Sequence, residues 1–452
     1  MEIFQFFLGS HQSISFAEIR ALKFFRKVGS LISADNTKLP NVSNNSSDAQ
    51  GVPVTVSKYA KNFDSTWFDR KVKDSVFVLS NYKKNQVVSR FNRMGGSQKV
   101  AKVIDVVLYT AEEFTIVSKL IIDKLVDLLL RFSDQNVNLK FVKINFYGNV
   151  ENLDSAVLNR LVKEQVKKHD VKLKFVGQIK KPVGNSATSA KVLKRGGVEI
   201  NVTIDNASLS VVFSETIAVQ NYKLFEILEY QRPERDMKIG MMPIKLAFIM
   251  LNLAKLKKDM GFWDPMVGLG TLIMAGQLFN VYAYGSDIDK NALRKAEANM
   301  LWFIRTGLVQ QPRYRLFRFD VTKEMRSNKI LRDIIRYGRF DAIVTEGYLG
   351  DARYKPFNNK KHAVTAIRKL ENLYVKLLRN TSSGILPGKM IVFTTPMYKY
   401  WDKEKKQYAW YQLEVPINKH RYRVVSFDTG PLVWENRRSN VARKINIVEK
   451  IK

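Results

Sequence analysis

The sequence predicts an α/β protein with two regions. The carboxyl-terminal half should form an open, mostly parallel sheet with an antiparallel end; the amino-terminal half should be α+β. Three observations carry this reading. From Met241 onward, strand-like and helix-like segments alternate, which implies parallel strands covered on both faces by helices. Three successive strand-like segments there end in an acidic residue, and the first runs into a glycine turn. Before about Tyr222 the segments are short and mixed. The expected organisation is an α+β region over residues 1–222, a linker over 223–240 and a Rossmann-like domain over 241–452.

The elements follow in chain order. "MEIFQFFLG" reads as a strand, and its short apolar run behind Glu2 lacks the basic flank of a secretion signal. "SISFAEIRALKFF" reads as a helix with Ser15 as N-cap and Glu18 closing a capping box. Residues 34–52 are rich in Ser, Asn and Asp without an apolar period, which predicts a flexible loop. "DSVFVLSNY", "VKINFYG" and "VKLKFVG" read as strands, and "FTIVSKLIIDKLVDLLLRF" and "DSAVLNRLVKEQVKKH" as helices. "GVEINVTIDNASLSVVFSE" is a strand pair turning at Asp205-Asn206. Pro233, in the polar stretch Arg232 to Asp236, breaks any regular helix through the linker. Beyond it, "IKLAFIMLNLAKL", "LGTLIMAGQLFN", "KNALRKAEANMLWFI" and "AVTAIRKLENLYVKLLRN" are helices. They alternate with the strands "MGFWDP", "VYAYGSDI", "RYRLFRFDV", "FDAIVTEG" and "KMIVFTTP". "RYRVVSF" and "RKINIVEK" supply the antiparallel end.

Composition narrows the chemistry. The 452 residues carry 75 Lys and Arg against 42 Asp and Glu, a net charge of +33 that points to a polyanionic partner. Nucleic acid comes first, because each neutralised phosphate releases a counterion, and an anionic membrane surface second. No apolar run reaches the length of a membrane span. With no cysteine, disulfides, thiolate metal sites and thiol nucleophiles are excluded, so the covalent route to carbon-five of pyrimidines is closed. The four histidines lack zinc-ligand spacing, and no metal is expected. A reducing cytoplasm suits this composition.

The candidate binding site begins at "DPMVGLGTLIMAG". A strand ends at Asp264, Gly268 and Gly270 shape a turn, and a helix starts, leaving room for a ligand against the backbone. Ile273 stands where a dinucleotide fingerprint needs a small residue, and the Gly-Lys-Ser/Thr of a phosphate loop is absent. The next strand end carries Asp287, placed to accept from ribose hydroxyls, with Asp289 as helix cap. The third carries Asp320, placed to accept from an adenine amine or to cap the next helix. Three acidic strand ends with one glycine turn suit an adenosine ligand without pyrophosphate, such as S-adenosylmethionine.

"DPMVGLGT" resembles the D-P-F-x-G-x-G-T turn of S-adenosylmethionine-dependent RNA methyltransferases that carry an amino-terminal THUMP domain. "MMPIKLAFIMLNLA", "GSDIDKNALRKAEAN" and "NVARKI" extend the resemblance, and "FQFFLGSHQSISFAEIRAL" with "MGGSQKVAKVI" carry it into the amino-terminal region. The resemblance implies methylation of a guanine exocyclic amine in tRNA, with ribosomal RNA the substrate of relatives. The family holds that amine with an Asn/Asp-Pro-Pro-Tyr motif: the acid or amide and the first proline's carbonyl accept its hydrogens, and the tyrosine stacks on the base.

This chain departs from that motif, with Thr345-Glu346-Gly347-Tyr348 in its place. Tyr348 matches, Thr345 stands at the Asn/Asp position, and Glu346 could supply the carboxylate from one residue further on. Loss of both prolines is expected to loosen the loop. Two alternatives remain open: an adenine-amine methyltransferase on RNA or DNA, and a non-catalytic RNA-binding or assembly factor with a degenerate site. For RNA capture, "KKHDVKLKFVGQIKKP", "SAKVLKRGG", "KHRYRVV" and "ENRRSNVARK" place Lys and Arg in both regions. The Gly95-Gly96 turn is a candidate for close backbone approach.

Overall fold

The computed structural model describes residues 2–22, 71–72, 75–109, 114–136, 138–151, 153–176, 186–235, 241–338, 340–351, 355–427, 430–436 and 439–452. The loop expected over 34–52 lies outside the described residues. The chain divides into two compact units. The first comprises the described parts of Met1–Gly9, Lys23–Asn92 and Ser97–Gln220; the second comprises those of Ser10–Leu22, Arg93–Gly96 and Asn221–Lys452. Two short segments of the amino-terminal 222 residues therefore group with the carboxyl-terminal unit.

In chain order the first elements are β1 (Glu2–Leu8), α1 (Gln12–Ala21), β2 (Lys71–Val72), β3 (Ser75–Ser80), α2 (Lys84–Phe91) and β4 (Ser97–Leu108). Then come α3 (Phe114–Gln135), β5 (Phe141–Gly148), α4 (Ser155–Lys167), β6 (Lys174–Phe175), α5 (Ser186–Lys194), β7 (Val198–Asp205) and β8 (Ser210–Val219). The strands form one sheet in the order β2-β3-β1-β4-β8-β7-β5-β6, parallel only where β5 meets β6 and β7. One face is apolar: Ile200, Val202 and Ile204 of β7 pack with Ile121, Leu125 and Leu129 of α3 and Leu158 and Val162 of α4. Strand periodicity sends Glu199 and Asn201 to the other face. There Glu199 pairs with Lys143 at 3.0 Å and Lys99 at 3.3 Å. Burial acts to raise the Glu199 carboxyl, but the two ammonium groups outweigh it and hold it at about 2.

The second unit adds α6 (Tyr222–Tyr230), α7 (Ile244–Leu253), β9 (Gly261–Asp264), α8 (Thr271–Leu278), β10 (Tyr282–Asp287), α9 (Lys290–Arg305) and β11 (Tyr314–Arg318). It continues with α10 (Lys329–Tyr337), β12 (Phe340–Glu346), α11 (Lys360–Thr381), β13 (Ile385–Asp402), β14 (Gln407–Gln412), β15 (Tyr422–Val424), β16 (Leu432–Trp434) and β17 (Val441–Lys450). The sheet order is β11-β10-β9-β12-β13-β17-β15, with β14 on β13 and β16 on β17. Strands β9 to β13 pair in parallel, while β14 to β17 pair antiparallel. This is the Rossmann-like sheet with an antiparallel end that the alternation predicts. Strand order reverses at β9, between β10 and β12, so the crevice outside their carboxyl ends is the place for a ligand.

Two local expectations are corrected. Helix α1 starts at Gln12 with His11 at its N-cap, so Ser15 and Glu18 make no capping box. Both are buried inside the helix instead. Glu18 Oε1 accepts from Gly95 N at 2.9 Å and from Asn252 Nδ2 at 2.7 Å, and Oε2 accepts from Gly96 N at 2.8 Å. A Cβ on Gly95 would lie 2.1 Å from the Lys245 carbonyl, so the double glycine lets this turn lie against α7. The stretch 223–240, read as a linker, opens inside the regular helix α6, and Asn221 caps that helix by accepting from Leu224 N at 3.2 Å. Residues 232–234 are then tied to the glycine turn described next.

Candidate active site

Asp264 ends β9 with its side chain only 2% exposed. Its Oδ1 accepts from the Thr345 hydroxyl at 2.6 Å and from Met266 N at 3.2 Å. Burial pushes its carboxyl up to about 8; those two hydrogen bonds act against the rise, and the charges of Asp287 and Glu346 add to it. Among the described residues, no Lys or Arg forms an ion pair with it.

Past Asp264 the chain makes the tight turn its glycines allow. Gly268 has φ 51° and Gly270 φ 78°, a left-handed geometry costly for other residues. Gly270 is the N-cap of α8. Asp287, at the end of β10, ties down the turn: Oδ2 accepts from Gly268 N and Oδ1 from Asp289 N, each at 3.0 Å. Asp289 caps α9 through Asn291 N at 2.9 Å, as the sequence suggests. The Asp320 carboxylate accepts from Thr322 N at 2.9 Å and its hydroxyl at 2.7 Å, a local turn.

A cavity of about 180 Å³ lies against this turn. Asp264, Gly268 and Glu346 line it, together with Met241, Asp289 and Lys295. Of the residues singled out from sequence, Gly270, Asp287, Asp320, Thr345 and Tyr348 are not part of its lining. Gly270 and Asp287 shape the turn behind it, Thr345 holds Asp264, and Asp320 stands one strand further out.

The Thr345–Tyr348 segment is firmly held. Glu346 Oε1 accepts from Arg443 Nε, and Oε2 accepts from no described residue. Tyr374 donates its hydroxyl to the Tyr348 carbonyl at 2.9 Å, and Tyr398 donates to the Leu349 carbonyl at 2.7 Å. A Cβ on Gly347 would lie 2.3 Å from the Tyr374 ring and 2.6 Å from the Thr394 carbonyl. The Tyr374 ring fills the space a side chain would need, and two tyrosine hydroxyls tether the carbonyls that follow Gly347, so the segment has restraints of its own where the family has proline. The Tyr348 ring is 46% exposed, and its hydroxyl donates to Asp351 at 2.8 Å.

Sequence reasoning missed the connector. Arg232, 1% exposed, donates from Nη1 to the Thr271 hydroxyl at 2.7 Å. Asn299 donates to the carbonyls of Glu234 and Leu269, each at 3.0 Å, and accepts from Glu234 N at 3.0 Å. Residues 232–234 are thus stitched to the glycine turn. Pro233 marked a helix break in the sequence, but nothing there identified the partner. Among the described residues, no cluster of His, Asp or Glu could hold a metal ion, and no helix is long and apolar enough to cross a membrane.

No family model matches the chain. The chain is similar to tRNA (guanine(10)-N(2))-methyltransferases. It is 27% identical over 234 residues to TRMT11 of Rattus norvegicus, covering 46% of this chain and 48% of that protein. It is 30% identical over 159 residues to the tRNA (guanine(10)-N2)-dimethyltransferase of Methanothermobacter thermautotrophicus, covering 35% and 40%. The matched regions thus span about half or less of these relatives. Among solved structures, TrmN from Thermus thermophilus aligns over 99% of this chain and all of its own, at 14% identity and a TM-score of 0.47.

Proposed function

We propose that the chain is an S-adenosylmethionine-dependent RNA methyltransferase that modifies the exocyclic amine of guanine, with cytoplasmic tRNA as substrate. The observation that carries this reading is the cavity where the buried Asp264, its carboxyl raised by burial, meets a glycine turn beside Glu346. Similarity to tRNA guanine-N2-methyltransferases supports the substrate class.

The residues present fit the cofactor. Asp264 would face its positive end, the backbone of Gly268 to Gly270 would take the chain between sulfur and carboxylate, and Asp289 or Asp287 would accept from the ribose. Asp320 would accept from the adenine amine. When bound, the cofactor supplies an electrophilic methyl group. Everything else falls to the chain. An exocyclic amine has its lone pair delocalised into the base, so acceptors must hold its hydrogens and aim it. Glu346 Oε2 would accept one hydrogen and the Glu346 backbone carbonyl a second, while Arg443 fixes the carboxylate. Thr345 acts as a positioning residue for Asp264, since its proton is already engaged. Tyr348 would stack on the base. The first unit would serve as a THUMP-like RNA-capturing region: exposed Lys168, Lys172, Lys191 and Lys194 offer phosphate contacts.

The Glu346–Arg443 pair also favours a second reading, in which the carboxylate is spent on structure and the chain binds RNA and cofactor without transfer. A labelled-methyl transfer assay on tRNA, ribosomal RNA and DNA, followed by nucleoside analysis, separates the readings. Label in N2-methylguanine of tRNA supports the first. Label in N6-methyladenine redirects the target to adenine. Cofactor binding with no label in any pool leaves the non-catalytic factor.

A further inference from the structure

We propose that Arg232 is a positioning residue for the carboxylate at the amino-acid end of the cofactor, acting through Thr271 at the start of α8. The inference rests on the proposed reading of the cavity as a cofactor site. Arg232 lies almost fully out of solvent, yet Nε and Nη2 have no hydrogen-bond partner among the described residues. Guanidinium groups are seldom buried so incompletely satisfied, and each such case calls for a ligand or a field that stabilises it. The third nitrogen, Nη1, donates to Thr271 Oγ1 at 2.7 Å, and Thr271 lines the cavity.

The setting is electrostatically directed. Burial lowers the Arg232 pKa to about 10, which leaves it charged at neutral pH; Glu229 and Glu346 act to raise it and Arg235 to lower it. Both acids have other partners: Glu229 accepts from Ile244 N at 2.9 Å, and Glu346 pairs with Arg443. The cation therefore stands behind Thr271 at the amino end of α8, where the helix dipole is also positive. Both features favour an anion at the same end of a cavity whose other lining charges are Asp264, Asp289, Glu346 and Lys295. A ligand with a cationic sulfur and a distal carboxylate matches that division. The Asn299 clamp on Glu234 and Leu269 keeps the connector in register with the turn.

The test compares two ligands by calorimetry: S-adenosylhomocysteine, which has the carboxylate, and 5′-methylthioadenosine, which lacks the whole amino-acid end. For Arg232→Met, binding of the first should weaken about tenfold or more, the scale of a charge-assisted interaction. Binding of the second should change by less than about twofold. Arg232→Lys should recover most of the loss. Thr271→Val keeps the cation and breaks the bridge, so it should show the same selective loss even if Arg232→Met fails to fold. Equal loss for both ligands, or wild-type affinity in both Arg232→Lys and Thr271→Val with no deficit in Arg232→Met, overturns the inference alone. If the wild type binds neither ligand, the cofactor reading falls with it.

Discussion

Asp264→Asn is the perturbation whose consequences follow most directly from the geometry. The wild-type carboxyl titrates near 8 when folded, against 3.8 for the ordinary group. A folded-state pKa above the unfolded one means that the native state holds its proton longer. The associated stability is complete below about pH 4 and is lost as pH rises toward 8. At roughly 1.4 kcal/mol per unit, Asp264 alone makes the fold about 4 kcal/mol less stable at pH 9 than at pH 5. Asparagine keeps an acceptor for Thr345 and Met266 and does not titrate. Urea denaturation of both proteins across that range reads the contribution of Asp264 together with its coupling to Asp287 and Glu346. The mutant should gain on the wild type by a few kcal/mol between the ends of the series, with most of the change below pH 8. Parallel stability curves would refute the burial argument for Asp264.

Other consequences follow from the same contacts. A cationic ligand should lower the Asp264 pKa, so S-adenosylmethionine should bind more tightly as pH rises from 6 to 8, by up to about tenfold per unit. Uncharged-sulfur S-adenosylhomocysteine should show a flatter profile, and identical calorimetric profiles would count against Asp264 facing the sulfonium. Gly347→Ala should cost roughly 1–3 kcal/mol through overpacking against Tyr374 and the Thr394 carbonyl, read as a lower denaturation midpoint; an unchanged midpoint would show that this space can open. Glu346→Gln should lower methyl transfer at least about tenfold at saturating cofactor, and an equal rate would remove Glu346 from the amine site.

The alternation of apolar strands and amphipathic helices made the second unit's sheet legible, because parallel strands covered on both faces leave a strong period. Gly268 and Gly270 announced a turn, and Asp264 its acidic start, since few other residue types serve there. What stayed hidden depends on distant partners. Glu18 fits a local capping pattern, but the amides it serves belong to Gly95 and Gly96, far along the chain. Gly347 looks like a loosened loop until the Tyr374 ring fills the space beside it. Arg232 sits in a polar stretch that reads as linker, and only the fold brings Thr271 to it. Asp287 and Asp289 are two residues apart on one strand end, and the backbone decides that Asp287 faces the turn while Asp289 borders the cavity.

The most direct test is calorimetric titration of the purified chain with S-adenosylmethionine. The account predicts saturable binding to one site, weakened in Asp264→Asn as the positive sulfur loses its counter-charge. A folded protein that gives no binding heat with this ligand or its demethylated product at about millimolar concentration would contradict it.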